Sequence, residues 1–448
     1  MKIISPIIRP LVLSRLAVGA ILGFSLIHSA PATPWITNSP LNLARFSHTT
    51  TLLANGKVLV AGGVGGIVGI TDSAELYDQT TGTNQPTGSL NTFRRDHTAT
   101  LLLNGKVLVA GGFDGSLVLQ HAELYDPVTG TWSPTGEMNN PRRFHTATLL
   151  PNGMVLVAGG RTNSAAINSA ELYDPATETW QPSGSLSTNR NLHTATLLPN
   201  GSVLVVGGGG FGASALASAE FYDPTNGNWT LVENMKVPRF AHTATLLPNG
   251  QVLVAGGAGD APLDGAELFD PVSSNWSQVA SLHVARDLHT ATLLPNGNVM
   301  VTGGFFNGGG TATVEEYDPA TATWATTTAL NFGRWNHTAT WLTNGSVLVV
   351  GGRGPGGGAL GSVETFTPQI PTAIVLINPI RLANGSFQFN FTSTPATTFT
   401  TLAATNPSLP LNNWTVLGAP VEISSGQFQF TDSQTSDHPQ RFHRVRSP

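Results

Sequence analysis

A nine-residue segment, HTATLLPNG, recurs in this chain and limits its possible folds more than any other feature. Identical copies begin at His145, His193, His242 and His289, and near-copies begin at His48, His97 and His337. The seven histidines that open these copies are 47 to 49 residues apart. A period this regular is typical of a chain built from repeated small units that stack on one another.

Each period begins with the pattern of a β-hairpin. In the third copy, HTATLL and VLVAGG are apolar, β-branched runs joined through Asn152-Gly153, and Asn-Gly supplies the positive φ angles of a tight turn. A loop of variable length follows the paired glycines. A third strand, SAELYDP at 169–175, and a fourth strand that opens on Trp180 complete the unit. Four short antiparallel strands cannot bury their faces singly, so the pattern predicts propeller blades stacked around an axis.

The double glycine, the Tyr seven residues before a Trp and the period near 50 resemble the kelch repeat, the blade unit also used by galactose oxidase. The resemblance covers roughly residues 35–368. It implies an all-β fold, a seven-bladed kelch-type β-propeller. It does not imply one function, because propellers support catalysis, sugar binding and protein docking alike.

The first residues show how the ring of blades is expected to close. Trp35 occupies a fourth-strand position although no first three strands precede it, whereas the seventh copy ends at Pro368 with no following Trp. We therefore expect residues 33–44 to supply the outer strand of blade seven, within a propeller spanning 33–368. Such pairing would leave neither sheet edge open. The alternative is that Trp35 belongs to a disordered leader.

Residues 1–32 have the pattern of an export signal. Lys2, Arg9 and Arg15 precede an apolar run from Leu16 to Ile27, and Ala30-Pro31-Ala32 offers small residues for cleavage. We expect a secreted or cell-surface protein, extracellular or periplasmic, without a membrane span in its mature form. An uncleaved amphipathic N-terminus is the alternative.

Residues 369–448 no longer follow the period. Alternating Phe387, Phe389 and Phe391, and later Phe428 and Phe430, predict a small β-sandwich-like module. It resembles C-terminal modules of exported bacterial proteins, which implies surface attachment or sorting. A plain accessory domain is the alternative.

The composition excludes several classes of function. The chain has no cysteine, so it has no disulfide, thiolate metal site or cysteine nucleophile. Similarity to galactose oxidase would imply copper beside a Cys-crosslinked Tyr, which this chain cannot form. We expect neither a cofactor nor a metal.

Residues 1–32 carry three cations and no anion, so their removal changes the formal net charge from −5 to −8. A mildly acidic chain without a basic patch is a poor candidate for binding nucleic acid.

Three kinds of charged or titratable residue repeat in every copy. The set contains an Arg three residues before each His, the His itself, and a Glu in each third strand. The arginines are Arg45, Arg94, Arg142, Arg190, Arg239, Arg286 and Arg334. The glutamates of the same copies, in the same order, are Glu75, Glu123, Glu171, Glu220, Glu267, Glu315 and Glu364. A catalytic site breaks symmetry, whereas a structural feature repeats. We therefore expect buried Arg–Glu ion pairs and histidines at blade interfaces, with a convergent metal site as the alternative.

Function is expected where the copies differ. The loop before strand one and the loop between strands two and three emerge on the same face of an antiparallel blade, and both vary. Aromatic, Arg, Asp and Asn side chains there suit stacking on sugars or docking of a protein loop. The ligand-binding residues predicted on this face are Phe113, Asp114, Arg143, Phe144, Arg161, Trp335 and Arg353. For any one of them, the alternative is that it merely fills a loop.

These features together predict a monomeric, exported binding protein for a glycan or a protein partner. Whether the chain is an enzyme is open: a carbohydrate-active enzyme that uses the same face is the alternative. The sequence contains no S-x-D-x-G-x-x-W, HExxH or GxSxG motif that would support catalysis.

Overall fold

The computed structural model describes residues 34–209, 214–368, 377–384, 386–392, 399–404, 414–433 and 442–446. Every regular element in these ranges is a β-strand, and the expectation of an all-β kelch-type propeller is confirmed. The predicted export signal lies outside the described residues. Among the described residues, no helix is long and apolar enough to cross a membrane.

Seven four-stranded antiparallel sheets, the blades, occupy the described residues between 34 and 368. Within each blade the strands are ordered one to four across the sheet. Blade one comprises Thr49–Leu52, Val58–Ala61, Ala74–Asp78 and Thr83–Pro86. Blade two comprises Thr98–Leu101, Val107–Ala110, Ala122–Asp126 and Thr131–Pro134. Blade three comprises Thr146–Leu149, Val155–Ala158, Ala170–Asp174 and Thr179–Pro182. Blade four comprises Thr194–Leu197, Val203–Val206, Ala219–Asp223 and Asn228–Val232. Blade five comprises Thr243–Leu246, Val252–Ala255, Ala266–Asp270 and Asn275–Val279. Blade six comprises Thr290–Leu293, Val299–Thr302, Val314–Asp318 and Thr323–Thr326. Blade seven comprises Thr338–Trp341, Val347–Val350, Val363–Phe366 and Ile36–Asn38.

The first strands of neighbouring blades contact one another all the way round, and that of blade seven contacts that of blade one. Hydrophobic clusters fill the space between adjacent blades. Val155 and Val157 of blade three, both fully buried, share one such cluster with Leu108 and Leu124 of blade two. Burial of side chains of this size contributes about 1.5–3 kcal/mol each, so the blade interfaces form the core.

The strand at Ile36–Asn38 completes blade seven by pairing antiparallel with Val363–Phe366. Trp35, only 4% exposed, stacks on Phe366 with 5.1 Å between ring centroids. Its Nε1 donates to the Thr328 carbonyl at 2.9 Å. Trp180 makes the equivalent bond to the Gly136 carbonyl at 2.7 Å, so Trp35 takes the place that a repeat tryptophan takes in other blades.

Additional short strands lie on the variable face: Arg45–Phe46, Val64–Gly65 and Gly69–Ile70 form one sheet, and Phe305–Phe306 pairs with Gly309–Gly310. The strands of the C-terminal module are Ile377–Arg381, Phe387–Thr392, Thr400–Ala404, Thr415–Gly418, Val421–Ser424, Gln427–Asp432 and Phe442–Arg446. In their described parts they form a four-stranded and a three-stranded sheet, with Phe389, Phe391 and Phe428 buried together. The boundaries of the signal, propeller and module remain predictions.

Candidate ligand-binding site where the blades meet

The repeated arginines and glutamates form buried ion pairs within the blades. In blade three, Arg142 is 0% exposed and its Nη2 lies 2.6 Å from Glu171 Oε1. Its Nη1 donates to the carbonyls of Gly159 and Ser169, and the Asn139 N–H donates to Glu171 Oε2. Burial alone would raise the pKa of Glu171, but these hydrogen bonds and the Arg142 charge outweigh it and hold the pKa below its ordinary value. The same Arg–Glu pair occurs in all seven blades of the described chain.

The repeated histidines lie between blades. His145 Nε2 is 3.0 Å from the Thr98 hydroxyl of the preceding blade, and His48 Nε2 is 3.1 Å from the Thr338 hydroxyl, so the series closes on itself. Burial, followed by the charge of the nearby Arg142, lowers the pKa of His145 well below 6.5. The described residues contain no group of three or more His, Cys, Asp or Glu placed to hold a metal ion. These contacts support the structural interpretation of the repeated set.

The residue before each of these histidines has left-handed backbone geometry. All seven have φ between 51° and 57°, and none is glycine; we call them the collar residues: Ser47, Asp96, Phe144, Leu192, Ala241, Leu288 and Asn336. Each collar N–H donates to the carbonyl of the collar residue in the preceding blade, at 2.9–3.3 Å, and Ser47 donates to Asn336. This closed belt of hydrogen bonds holds the left-handed geometry, which is otherwise unfavourable for a residue with a Cβ.

The residue before each collar residue meets the loop between strands two and three. We call these seven the wall residues: Phe46, Arg95, Arg143, Asn191, Phe240, Asp287 and Trp335. Each bonds through its backbone to the residue that follows the double glycine of the same blade, which we call a rim residue: Val64, Phe113, Arg161, Gly209, Ala258, Phe305 and Arg353. The two variable loops therefore meet on one face, as the strand order predicts.

Collar and wall residues surround a cavity of about 390 Å³, the axial cavity. All seven collar residues line it, together with Phe46, Arg95, Phe240, Asp287, Trp335 and Arg353. Its volume is within the range of about 300–1,000 Å³ that small-molecule sites occupy. The opposite face has shallow notches of about 310, 310 and 210 Å³ lined by repeated Asn-Gly and Asp-Pro turns. Because those notches repeat the same residues, they offer little to distinguish one ligand from another.

Blades two and three contribute one aromatic and cationic cluster. The Arg143 guanidinium lies 4.5 Å from the Phe113 ring centroid and 5.2 Å from that of Phe144. Asp96, whose side chain is 5% exposed, has Oδ2 3.7 Å from Arg95 Nε and 3.8 Å from Arg143 Nη1. Burial raises the pKa of Asp96 more than the two arginines lower it. Three of the predicted residues, Phe113, Arg143 and Phe144, therefore lie together here.

Blades six, seven and one contribute a second cluster. The Arg353 guanidinium lies over the rings of Phe46 and Trp335, 4.8 and 4.7 Å from their centroids. Trp335 also packs against Phe305 at 5.0 Å. Asp287, the wall residue of blade six, has a buried Oδ1 without a hydrogen-bond partner in the described part of the chain. Burial raises the pKa of Asp287 to about 6.

Four predicted residues do not line the cavity: Phe113 and Arg143, which lie beside it in the first cluster, and Asp114 and Arg161. The Asp114 carboxylate accepts hydrogen bonds from the N–H groups of Ser116 and Leu117, both at 2.7 Å, so it stabilises its own loop. Arg161 pairs through its backbone with Arg143, and its Nε donates to the Thr162 carbonyl.

The sequence-based selection omitted five residues that take part in the two clusters: Phe46, Arg95, Asp96, Asp287 and Phe305. A uniform reading of the two positions before each His and the one after each double glycine would have found them.

Comparisons with known proteins agree with this architecture. The model of the KLHDC2/KLHL20/DRC7 Kelch-repeats domain matches residues 47–257. A solved structure described as a novel fungal alcohol oxidase with catalytic diversity among the AA5 family, in complex with copper, is similar to this chain with a TM-score of 0.63. The match covers 93% of this chain and 97% of the oxidase chain at 16% identity, so it shows the fold alone. No curated protein sequence matches the chain.

The residues of the axial cavity do not fit a copper ion. Copper in proteins favours imidazole and sulfur ligands, and the described cavity lining contains no His, Cys or Tyr. The repeated histidines are turned to their Thr partners between blades. The closed ring of blades, the repeated double glycine and both matches thus agree on the fold: the described propeller is a kelch-repeat β-propeller.

Proposed function

We propose that this protein is an exported binding protein that takes a glycan or a protein partner into the axial cavity. The observation that carries the proposal is that all seven blades line this one cavity, and that they do so with the residues in which the repeats differ. A repeated scaffold surrounding a variable, concave surface is how propellers and other repeat proteins build binding sites.

The chemistry of the lining favours an acidic ligand. Arg95 and Arg353 line the cavity and Arg143 lies against Phe113 beside it, whereas the chain as a whole has a formal net charge of −5. Asp96 and Asp287 also line the cavity, so these three arginines leave a formal excess of one positive charge in an otherwise acidic protein, and such a local excess attracts anions. Arginine also binds carboxylates through two parallel hydrogen bonds, and aromatic neighbours supply flat apolar contact.

Binding arrays test the proposal. The purified protein would be probed against glycans and acidic peptides, and each ligand found would be measured with Trp335→Ala and Arg353→Ala, both of which alter the cavity lining. We expect each variant to weaken binding at a similar melting temperature. Asn200→Ala and Asn249→Ala, in turns on the opposite face, are the matched controls and should bind as the unaltered protein does. A ligand lost through the turn variants and indifferent to the loop variants would place the site on the other face.

A carbohydrate-active enzyme using the same cavity is the second candidate. The only support for it is the fold shared with an alcohol oxidase. An oxidase or lyase should form product from a bound glycan and lose activity with a chelator, whereas a binding protein should return the glycan unchanged. Export is tested separately, by N-terminal sequencing of protein recovered outside the cytoplasm, where cleavage near Ala32 is expected.

A further inference from the structure

The axial cavity has a shape that admits a single small group. Residues from all seven blades surround it, its volume is about 390 Å³, and the hydrogen-bonded collar encircles the axis. A polymer lying across the face would rest on the rim residues and leave the cavity unfilled. A terminal residue that points along the axis would instead contact collar, wall and rim together. The shape therefore favours the end of a chain over its middle.

Arg353 is the arginine best prepared to receive an anion. Its guanidinium lies over the rings of Phe46 and Trp335, and its Nε donates to the Gly357 carbonyl at 2.9 Å. Its two terminal amino groups have no acceptor among the described residues, whereas Arg95 and Arg143 each have a nitrogen 3.7–3.8 Å from Asp96 Oδ2, within ion-pair distance of that carboxylate. A guanidinium fixed in this way loses little side-chain freedom when it binds a carboxylate through two hydrogen bonds.

Asp287 adds the need for a hydrogen-bond donor on the ligand. It lines the same cavity from the blade next to Trp335, and its buried Oδ1 lacks a partner in the part of the chain described. A ligand hydroxyl would satisfy this oxygen. Asn336 and Ser47, at the collar, offer further amide and hydroxyl groups. A second strong negative charge, as on a phosphate or sulfate ester, would be repelled by the Asp287 carboxylate.

The apolar part of the lining favours a ligand with a compact ring that has apolar faces. Phe144, Leu192, Leu288 and Phe240 lie around the cavity between these polar groups. One carboxylate, several hydroxyls and a compact ring with apolar faces are combined in a carboxylated pyranose. Neutral sugars would leave Arg353 without its anion, and an acidic peptide would leave Asp287 dependent on a backbone N–H.

We infer that the axial cavity binds the terminal uronic-acid residue of an acidic glycan, with the carboxylate on Arg353 and a ring hydroxyl on Asp287. This inference rests on the proposed binding function and specifies its ligand class.

Methyl glucuronide and methyl glucoside form a matched pair for the test, since they differ only at the carboxylate carbon; the galacturonide and galactoside form a second pair. Calorimetric titration of the full chain should give roughly tenfold or tighter binding of a uronide than of its neutral partner, as expected for hydrogen bonds to a charged group. An oligosaccharide with a terminal uronate should bind better than one with the uronate inside the chain.

Two variants assign the contacts. Arg353→Met keeps a long side chain beside Phe46 and Trp335 but removes the charge, so the uronide and the neutral glycoside should bind equally. Asp287→Ala should weaken the neutral glycoside several-fold and the uronide less, because a like charge is removed at the same time. Lys106→Met, in a turn of the opposite face, controls for net charge and should change neither affinity.

The outcomes separate the two levels of the claim. If a neutral glycan or an acidic peptide binds and depends on Trp335, while no uronide exceeds its neutral partner, the proposed function stands and the uronate inference is overturned. The inference is equally overturned if uronide preference persists in a correctly folded Arg353→Met protein. If no ligand responds to Trp335→Ala, the proposed function itself is wrong.

Discussion

His97 Nε2 lies 3.0 Å from the hydroxyl of Thr49, so that each of these residues helps to join blade two to blade one. Burial, with a smaller contribution from the charge of Arg94, lowers the pKa of His97 to about 3. Burial lowers the pKa of His242 to about 3 as well, and those of the other five interface histidines well below 6.5. The folded protein therefore keeps these imidazoles neutral.

The first prediction is a steep loss of stability in mild acid. The pKa of each histidine is lower in the folded chain than in the unfolded chain, so below about pH 6.5 the unfolded chain binds more protons and the free energy of unfolding decreases as the pH falls. Each histidine lowers the free energy of unfolding by roughly 1.4 kcal/mol for each pH unit, in the range well below pH 6.5 and above the pKa of that histidine in the folded chain. Urea unfolding between pH 7.5 and 5 measures the effect. A flat profile would contradict the neutral state of the interface histidines.

The second prediction concerns the buried ion pairs. Glu171→Ala leaves Arg142 buried without its carboxylate and should lower the free energy of unfolding by roughly 3–5 kcal/mol. Glu137→Ala is the matched control, since Glu137 pairs with His121 at the surface and its loss should cost under about 1 kcal/mol. Equivalent glutamates in other blades should behave as Glu171 does. A variant of Glu171 with full stability but lost ligand binding would reveal a site instead of a structural pair.

The third prediction concerns the axial cavity and pH. Because burial raises the pKa of Asp287 to about 6, its carboxylate is largely neutral below that pH and charged above it. A carboxylated ligand held by the nearby Arg353 should therefore bind more tightly as the pH falls through 6. Titration at pH 5.5 and 7.5 measures the change, and Asp287→Asn should remove it. An unchanged pH profile in Asp287→Asn would show that another group titrates.

The sequence predicted the scaffold far better than the site. The Arg142–Glu171 pair and the place of Trp35 follow from strand order and repetition, which a regular period makes readable. Side-chain direction in the loops does not. Asp114 has the charge of a binding residue but stabilises its own loop, whereas Asp287 turns to the cavity. The direction of these side chains is set by left-handed backbone geometry at residues such as Leu192. Leucine rarely adopts that geometry, so the residue type gives no indication of it in the sequence.

The fourth prediction tests how the ring closes. Trp35→Ala removes a side chain that stacks on Phe366 and bonds to Thr328, and should cost about 3–5 kcal/mol of stability. Trp324→Ala, which removes the corresponding residue of blade six, should cost a similar amount. Removing residues 33–44 should further expose the edge of Val363–Phe366 and favour aggregation. If that truncation melts at the temperature of the intact protein, the strand does not close the ring in solution.

The fifth prediction uses the collar, where substitution by glycine should act in the unusual direction. Ala241 has φ of 51°, a geometry that costs a residue with a Cβ roughly 1–2 kcal/mol. Ala241→Gly removes this cost but adds about 0.5–1 kcal/mol of chain entropy on unfolding. The balance should be a gain in stability of up to about 1.5 kcal/mol. Ala244→Gly, three residues later in the first strand of blade five, has no such strain to relieve and should lose about 0.5–1 kcal/mol. Chemical denaturation of both variants measures the difference between their free energies of unfolding. An equal loss of stability at the two positions would contradict the prediction. It would mean that the belt of hydrogen bonds, and not the backbone geometry of Ala241, determines stability at the collar.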